Sequence, residues 1–287
     1  MKTRQISLLI VLMITSFQLL WSQTGIVNKG AKIVITSGAS LKISGGTTAD
    51  YTNQTAAALH GRIDLDGKIH LEGDWTKDAT SGTVFTNTDS DGEVLFIGSS
   101  GQAIGGVSST IFEKLTLDNA SGISLGNDIS LTGNLGLTDG SFTLGIYDLM
   151  LGNASVIVGT PSASRMIIAS GNGALKKGFS ATGSFTFPIG DNTSTLEYSP
   201  ATLDFTSGTF GGSAWASVNV TDAKHPSNAS TSNFLSRYWT VEQSNISSFS
   251  CDVTFNYLTA DVNGTESSIQ GGQWTDPNWI KLNTVST

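Results

Sequence analysis

The sequence predicts an all-β protein, a right-handed parallel β-helix followed by an antiparallel β-sandwich. Three observations lead there. Apolar residues recur as i, i+2 pairs at Leu115/Leu117, Ile123/Leu125, Ile129/Leu131 and Leu135/Leu137. The gaps between pairs are filled by Gly, Asn, Asp, Ser and Thr, the residues that turn a chain. The composition agrees: charged residues are 13% of the 287, and 33 Gly stand against 5 Pro. Helical proteins are richer in Glu, Lys and Ala, whereas turn-rich β proteins look like this.

The first segment is a message of its own. Lys2 and Arg4 precede the apolar run "ISLLIVLMITSFQLLW" and the polar "SQT". A basic start, an apolar run shorter than a membrane span and a polar exit describe a secretory signal peptide, residues 1–22. Its removal takes away two bases and no acid, so the net charge moves from −8 to −10. No later stretch is apolar enough to cross a bilayer. Such an acidic exported chain does not suit nucleic acid, whose phosphates demand Lys and Arg. The expected location is therefore secreted or on the outer cell surface.

Residues 23–165 carry the repeat. Its early part is looser, with Ile33/Ile35, Leu41/Ile43, Ile63/Leu65, Ile69/Leu71 and Val94/Phe96. After Leu137 it continues with Phe142/Leu144, Leu149/Leu151 and Val156/Val158. Members of a pair point to one side of a strand. From Leu115 onward, three units occupy 20 or 21 residues, the length of one triangular coil whose pairs all face inward. An antiparallel meander is the competing reading, but successive units lack a hairpin dipeptide such as Asn-Gly. Asn119, Asn127 and Asp139 are expected at turns.

Residues 166–287 change rhythm. "SFTFPIG", "ATLDF", "WASVNV", "RYWTV" and "CDVTFNY" are longer alternating strands, as in a β-sandwich. Phe185, Phe187, Trp215, Trp239 and Phe255 are expected core. Cys251, the single cysteine, excludes an internal disulfide and falls on the apolar face of its strand, as a buried, inert thiol.

Candidate chemistry is sparse. "NTDSDGE" places Asn87, Asp89 and Asp91 as oxygen ligands for Ca²⁺, against the competing reading of a solvated acidic turn. Position twelve of that loop is Gly98 and not Glu, so it is no EF-hand. Asp261, Asn263 and Glu266 repeat the idea more weakly. The densest acidic cluster is Asp64, Asp66, Glu72 and Asp74, beside His60, Arg62 and His70. An outward polar face explains it as well as a pair of catalytic carboxylates does. Trp274 and Trp279 in "GQWTDPNW" read as anchors of a terminal hairpin or as a platform for sugar rings.

Several segments, "FEKLTLDNASGISLGNDISLTGNLGLTDGSFTLG", "FTFPIGD", "EYSPATLDF", "RYWTV" and "DVNGTE", resemble secreted surface proteins of Bacteroidetes-type bacteria. Those proteins often leave the cell by type IX secretion and are described as adhesin-like. The resemblance spans roughly residues 90 to 270. It implies a non-catalytic surface protein, acting in adhesion or surface structure, with glycans or surface proteins as partners. It carries no catalytic residues over. Such proteins usually end in a sorting domain, which "WIKLNTVST" does not resemble, so the expectation is either a fragment or another export route. The alternative is a carbohydrate-binding or polysaccharide-cleaving β-helix protein.

Overall fold

The computed structural model describes residues 25–87 and 91–283. The expected signal peptide lies outside them. The chain winds into a parallel β-solenoid of about seven turns. Each turn visits three faces in order. Face 1 stacks Ile26–Lys29, Tyr51–Ala56, Trp75–Lys77, Gln102–Gly106, Ile123–Leu125, Phe142–Thr143, Ile167–Ile168 and Ile189–Asp191. Face 2 is built of two ladders. Lys32–Ile35 pairs with Arg62–Leu65, and further along Thr110–Phe112, Ile129–Leu131, Leu149–Leu151 and Leu175–Gly178 stack in sequence. Face 3 stacks Ser40–Ile43, Lys68–Leu71, Glu93–Phe96, Lys114–Asp118, Leu135–Asp139 and Ile157–Gly159.

The register shows why the pairs recur. On face 3, Leu115 sits between Val94 and Leu135, and Leu117 between Phe96 and Leu137. On face 2, Leu131 sits between Phe112 and Leu151. Each of these leucines has an apolar neighbour above, below and across the interior, and all are buried. A lone coil could not bury such pairs, so each one depends on the next. Toward the first turns the interior is filled by aromatics: Tyr51 stacks on Trp75 at 4.3 Å, and Trp75 packs on Phe112 at 5.2 Å.

Corners are drawn in by polar side chains that satisfy backbone groups. Asn119, buried, donates to Ser100 O and Gln102 Oε1 and accepts from Ser121 N. Gly140 has φ +83°, and a Cβ there would lie 1.9 Å from Asn119 O, so only glycine lets these two corners stack.

Two expectations change. Val156 and Val158 do not face inward. Ile157 is the residue that pairs with Leu135, and the two valines are half exposed. Buried Ser155 takes the inward position before Ile157, and a one-residue slip exchanges the faces of a strand. Nor do the parallel ladders stop at residue 165: they run on to Ile189–Asp191.

The antiparallel region that follows shares the solenoid's core. Leu175–Gly178 and Gly183–Phe187 pair with opposite ends of one 21-residue strand, Ala201–Thr221, here called the return strand. Its inward residues Leu203, Phe205, Ala216, Val218 and Val220 join the same buried cluster as the coils. An 18-residue strand, Tyr238–Phe255, pairs along the return strand as an outer layer. Lys177 is buried at this end, and its Nζ donates to the carbonyls of Gly152, Asn153 and Gly178 at 2.7–2.9 Å. Burial pushes its pKa down, and the three acceptors give the ammonium a full set of partners.

Candidate functional site

A trough of about 590 Å³ runs along the outside of face 1. The alternation of a strand supplies its floor. Inward Ile123 and Phe142 leave Ser124 and Thr143 pointing out, in one ladder with Ala103 and Ile168. Residues 120–122, Asp139, Ser141, Asn192 and Leu196 complete its lining. Hydroxyls of Ser121, Ser124, Ser141, Thr143 and Ser164 line it together with the carboxylates of Asp74 and Asp139.

Both carboxylates already serve the backbone. Asp74 accepts from Ala103 N at 2.7 Å, and Asp139 from Gly140 N at 3.0 Å. Burial pushes the Asp74 carboxyl up, the Ala103 N–H draws it partly back, and neighbouring Asp50 adds to the rise. Such a surface can hold a hydroxyl-rich ligand by many neutral hydrogen bonds.

The acidic cluster of the sequence is taken apart by the coil. Asp64 points out of face 2 to Lys32 at 2.6 Å, and Asp66 accepts from Asn87 Nδ2 at 2.6 Å. Glu72 accepts from the backbone N–H groups of Gly45 and Gly46 and pairs with Lys42, which together hold its carboxyl below the usual range. Asp74 alone of the four reaches the trough. His60 meets Thr83 O at 3.2 Å.

Of the residues read as a Ca²⁺ loop, Asp89 lies outside the described residues. Asp91 is exposed, and Asn87 is turned into the coil, where Oδ1 accepts from Leu65 N and Nδ2 donates to Leu65 O. In the second acidic group, Asp261 is buried against Arg237, Glu266 accepts from Tyr257 Oη, and Asn263 donates to Asp261 O.

Trp274 and Trp279 face each other across a hairpin and form a ring cluster with His225 and Tyr238. Trp279 is anchored through Nε1 to Ser227 O, yet keeps 43% of its surface exposed. Trp274 Nε1 has no hydrogen-bond acceptor among the described residues.

One centre had no signal in the sequence. Arg237, fully buried, bonds Asp191, Glu197 and Asp261 and lies 3.7 Å from Asp222. These acids come from the last coil, the hairpin after it, the end of the return strand and a late 3₁₀ turn. Asp191, Glu197 and Asp222 are close enough together to hold a metal ion, but the guanidinium already supplies their cation. Burial opposes the charge of Arg237, and Asp261 and Asp191 outweigh it, raising an already high pKa. The group is a clasp between coil and end layers. Cys251 is half-buried on the outer strand with its thiol pushed up to about 11, chiefly by burial, and so is a poor nucleophile. Among the described residues no helix is long and apolar enough to cross a membrane. No protein family, curated protein or solved structure matches the chain.

Proposed function

We propose that the chain is a non-catalytic exported surface protein whose solenoid serves adhesion or surface structure, and whose face 1 trough holds a neutral, hydroxyl-rich glycan. The observation that carries this reading is the trough lining. It sets the hydroxyls of Ser124 and Thr143 side by side on successive coils, with those of Ser121, Ser141 and Ser164 around them, which matches the repeating hydroxyls of an extended sugar chain.

A glycan array with the mature chain tests the reading. Binding to neutral glycans, lost when Ser124→Trp or Thr143→Trp fills the trough, is the expected result. Binding that survives both changes overturns the site. The ring cluster favours a second place for sugars, since an exposed indole can stack on a pyranose face, and Trp279→Ala separates the two. A polysaccharide-cleaving reading would require turnover in reducing-sugar and unsaturated-product assays, abolished by Asp74→Asn. The proposal expects no turnover. Mass spectrometry of secreted material is expected to find a chain starting within a few residues of Gln23, and an intact Met1 in a membrane fraction would contradict export.

A further inference from the structure

The two ends of the solenoid are built to different patterns that complement each other. At the first coil the strands Ile26–Lys29, Lys32–Ile35 and Ser40–Ile43 are each the last of their sheet, with one edge unpaired among the described residues. Their inward Ile26, Ile33 and Leu41 are only partly buried, because no other described strand stacks on that side. At the other end the outer strand, Tyr238–Phe255, pairs among the described residues only with the return strand. Val241 lies opposite Val218 and Val253 opposite Leu203, so both point to the interior side. Yet Val218 and Leu203 are buried, whereas Val241 and Val253 remain 42% and 40% exposed. They form an interior row with no layer above it among the described residues.

Strand direction makes this row more than a sticky edge. Leu175–Gly178 on face 2 is antiparallel to the return strand, which is antiparallel to the outer strand. Two reversals restore the direction of the coils. The outer strand runs along the layer of Leu175–Gly178, then past a bend marked by positive φ at Asn245 and Ser248, and on beside the layer of Gly183–Phe187. The first coil has the same plan: a face 2 strand, the corner Thr36–Ala39, then a face 3 strand.

Charge agrees with direction. Residues 25–49 carry Lys29, Lys32 and Lys42 and no acid, in a chain whose net charge is strongly negative; Lys32 and Lys42 also pair with Asp64 and Glu72 of the next coil and keep about half of their side-chain surface exposed. The outer strand carries Glu242 and Asp252 and no base. It also lacks the Lys and Pro by which exposed edges usually discourage pairing. We infer that the first coil of one copy docks on the outer strand of the next, continuing the parallel ladder from molecule to molecule. The contact is heterologous and leaves a free end at each step, so it builds linear assemblies. It gives the surface-structure part of the proposed function a partner, a second copy of this chain, and does not depend on the ligand of the trough.

Sedimentation velocity of the mature chain tests this with two variants. Val241→Lys/Val253→Lys blocks the outer strand at side chains that are already half exposed. Lys29→Glu/Lys32→Glu/Lys42→Glu reverses the first coil. Wild type is expected to gain mass with concentration and to lose it at high salt. Each variant alone should be a monomer, and an equal mixture should form a dimer and nothing larger, since only one intact pair of ends remains. A wild type that stays monomeric at every concentration overturns the inference. So does a first-coil variant that still self-associates, because that would mean outer strands pairing with each other. Circular dichroism controls for folding, and Val241→Thr/Val253→Thr replaces the lysine pair if it misfolds. Glycan binding by the monomeric variants reads the trough separately.

Discussion

Leu115, Leu117, Leu135 and Leu137 on face 3 and Val241, Val253 and Phe255 on the outer strand come from the same alternation of apolar and polar residues. The leucines are wholly buried, while the two valines stay about two-fifths exposed. Strand sequence does not account for the difference, because both sets point inward. Position in the stack does: the leucines have a coil on either side, and among the described residues the outer strand has a neighbour on one side only. In a solenoid, burial belongs to the stack. A second contrast follows from it. The middle coils are held by aliphatic columns, whereas the end layers are also tied by one buried guanidinium among carboxylates from four separate segments.

The sharpest way to break this comparison is to place the same charge in both regions. Leu131→Asp puts a carboxylate between Phe112 and Leu151. It forfeits roughly 1.5–3 kcal/mol of leucine burial and adds the cost of an unpaired buried charge. Against a net stability of about 5–15 kcal/mol, that should unfold the coils. Val253→Asp, on a half-exposed side chain, should cost about 1 kcal/mol or less. Thermal melts followed by circular dichroism compare them, and equal losses would mean that the stack does not govern burial.

Next in size is the clasp. Arg237→Leu leaves Asp191 and Asp261 buried without their cation, and breaking such a pair costs about 3–5 kcal/mol. Denaturant melts should show this loss, with hydrogen exchange rising first in the return and outer strands. Exchange rising first in Leu115–Leu137 would place the clasp's work elsewhere.

Smaller effects sharpen the account at the corners. Asp128 accepts from Asp148 N at 2.8 Å, one coil away, so Asp128→Ser should cost about 0.5–1.5 kcal/mol and not be silent. Glu72 gives the smallest expected effect, a slope with pH. Its folded pKa lies below the ordinary value because of Gly45, Gly46 and Lys42. Its contribution is therefore complete above the ordinary carboxylate range and is lost as the pH falls through the depressed value. Glu72→Gln should flatten the acid limb of the stability curve. An unchanged limb would assign the slope to other carboxylates.

These contrasts also explain what the sequence disclosed. The pairs from Leu115 to Leu151 were legible because each coil repeats a local rule, two inward residues and a turn. Val156/Val158 misled because three apolar residues in a row, Val156 to Val158, fit either face, and Ser155 chose the register. The end of the coils was misplaced because strand length changes near residue 165 while parallel pairing persists to Ile189. The clasp was illegible, since Arg237 meets acids 46, 40, 15 and 24 residues away in the chain. The trough is likewise a product of stacking: Ser124 and Thr143 are ordinary outward residues until the register sets them side by side.

Cross-linking tests the stacked, in-register coil most directly. Ser130 and Met150 are outward partners on adjacent coils of face 2, whereas Ser124 and Ser130 belong to successive strands of one coil. With Cys251→Ser as background, Ser130→Cys/Met150→Cys brings two thiols onto neighbouring strands about 4.8 Å apart, close enough for a disulfide. The account predicts that mild oxidation closes that bond quantitatively and leaves Ser124→Cys/Ser130→Cys reduced. Closure of the second pair and not the first would reveal a meander and contradict the solenoid.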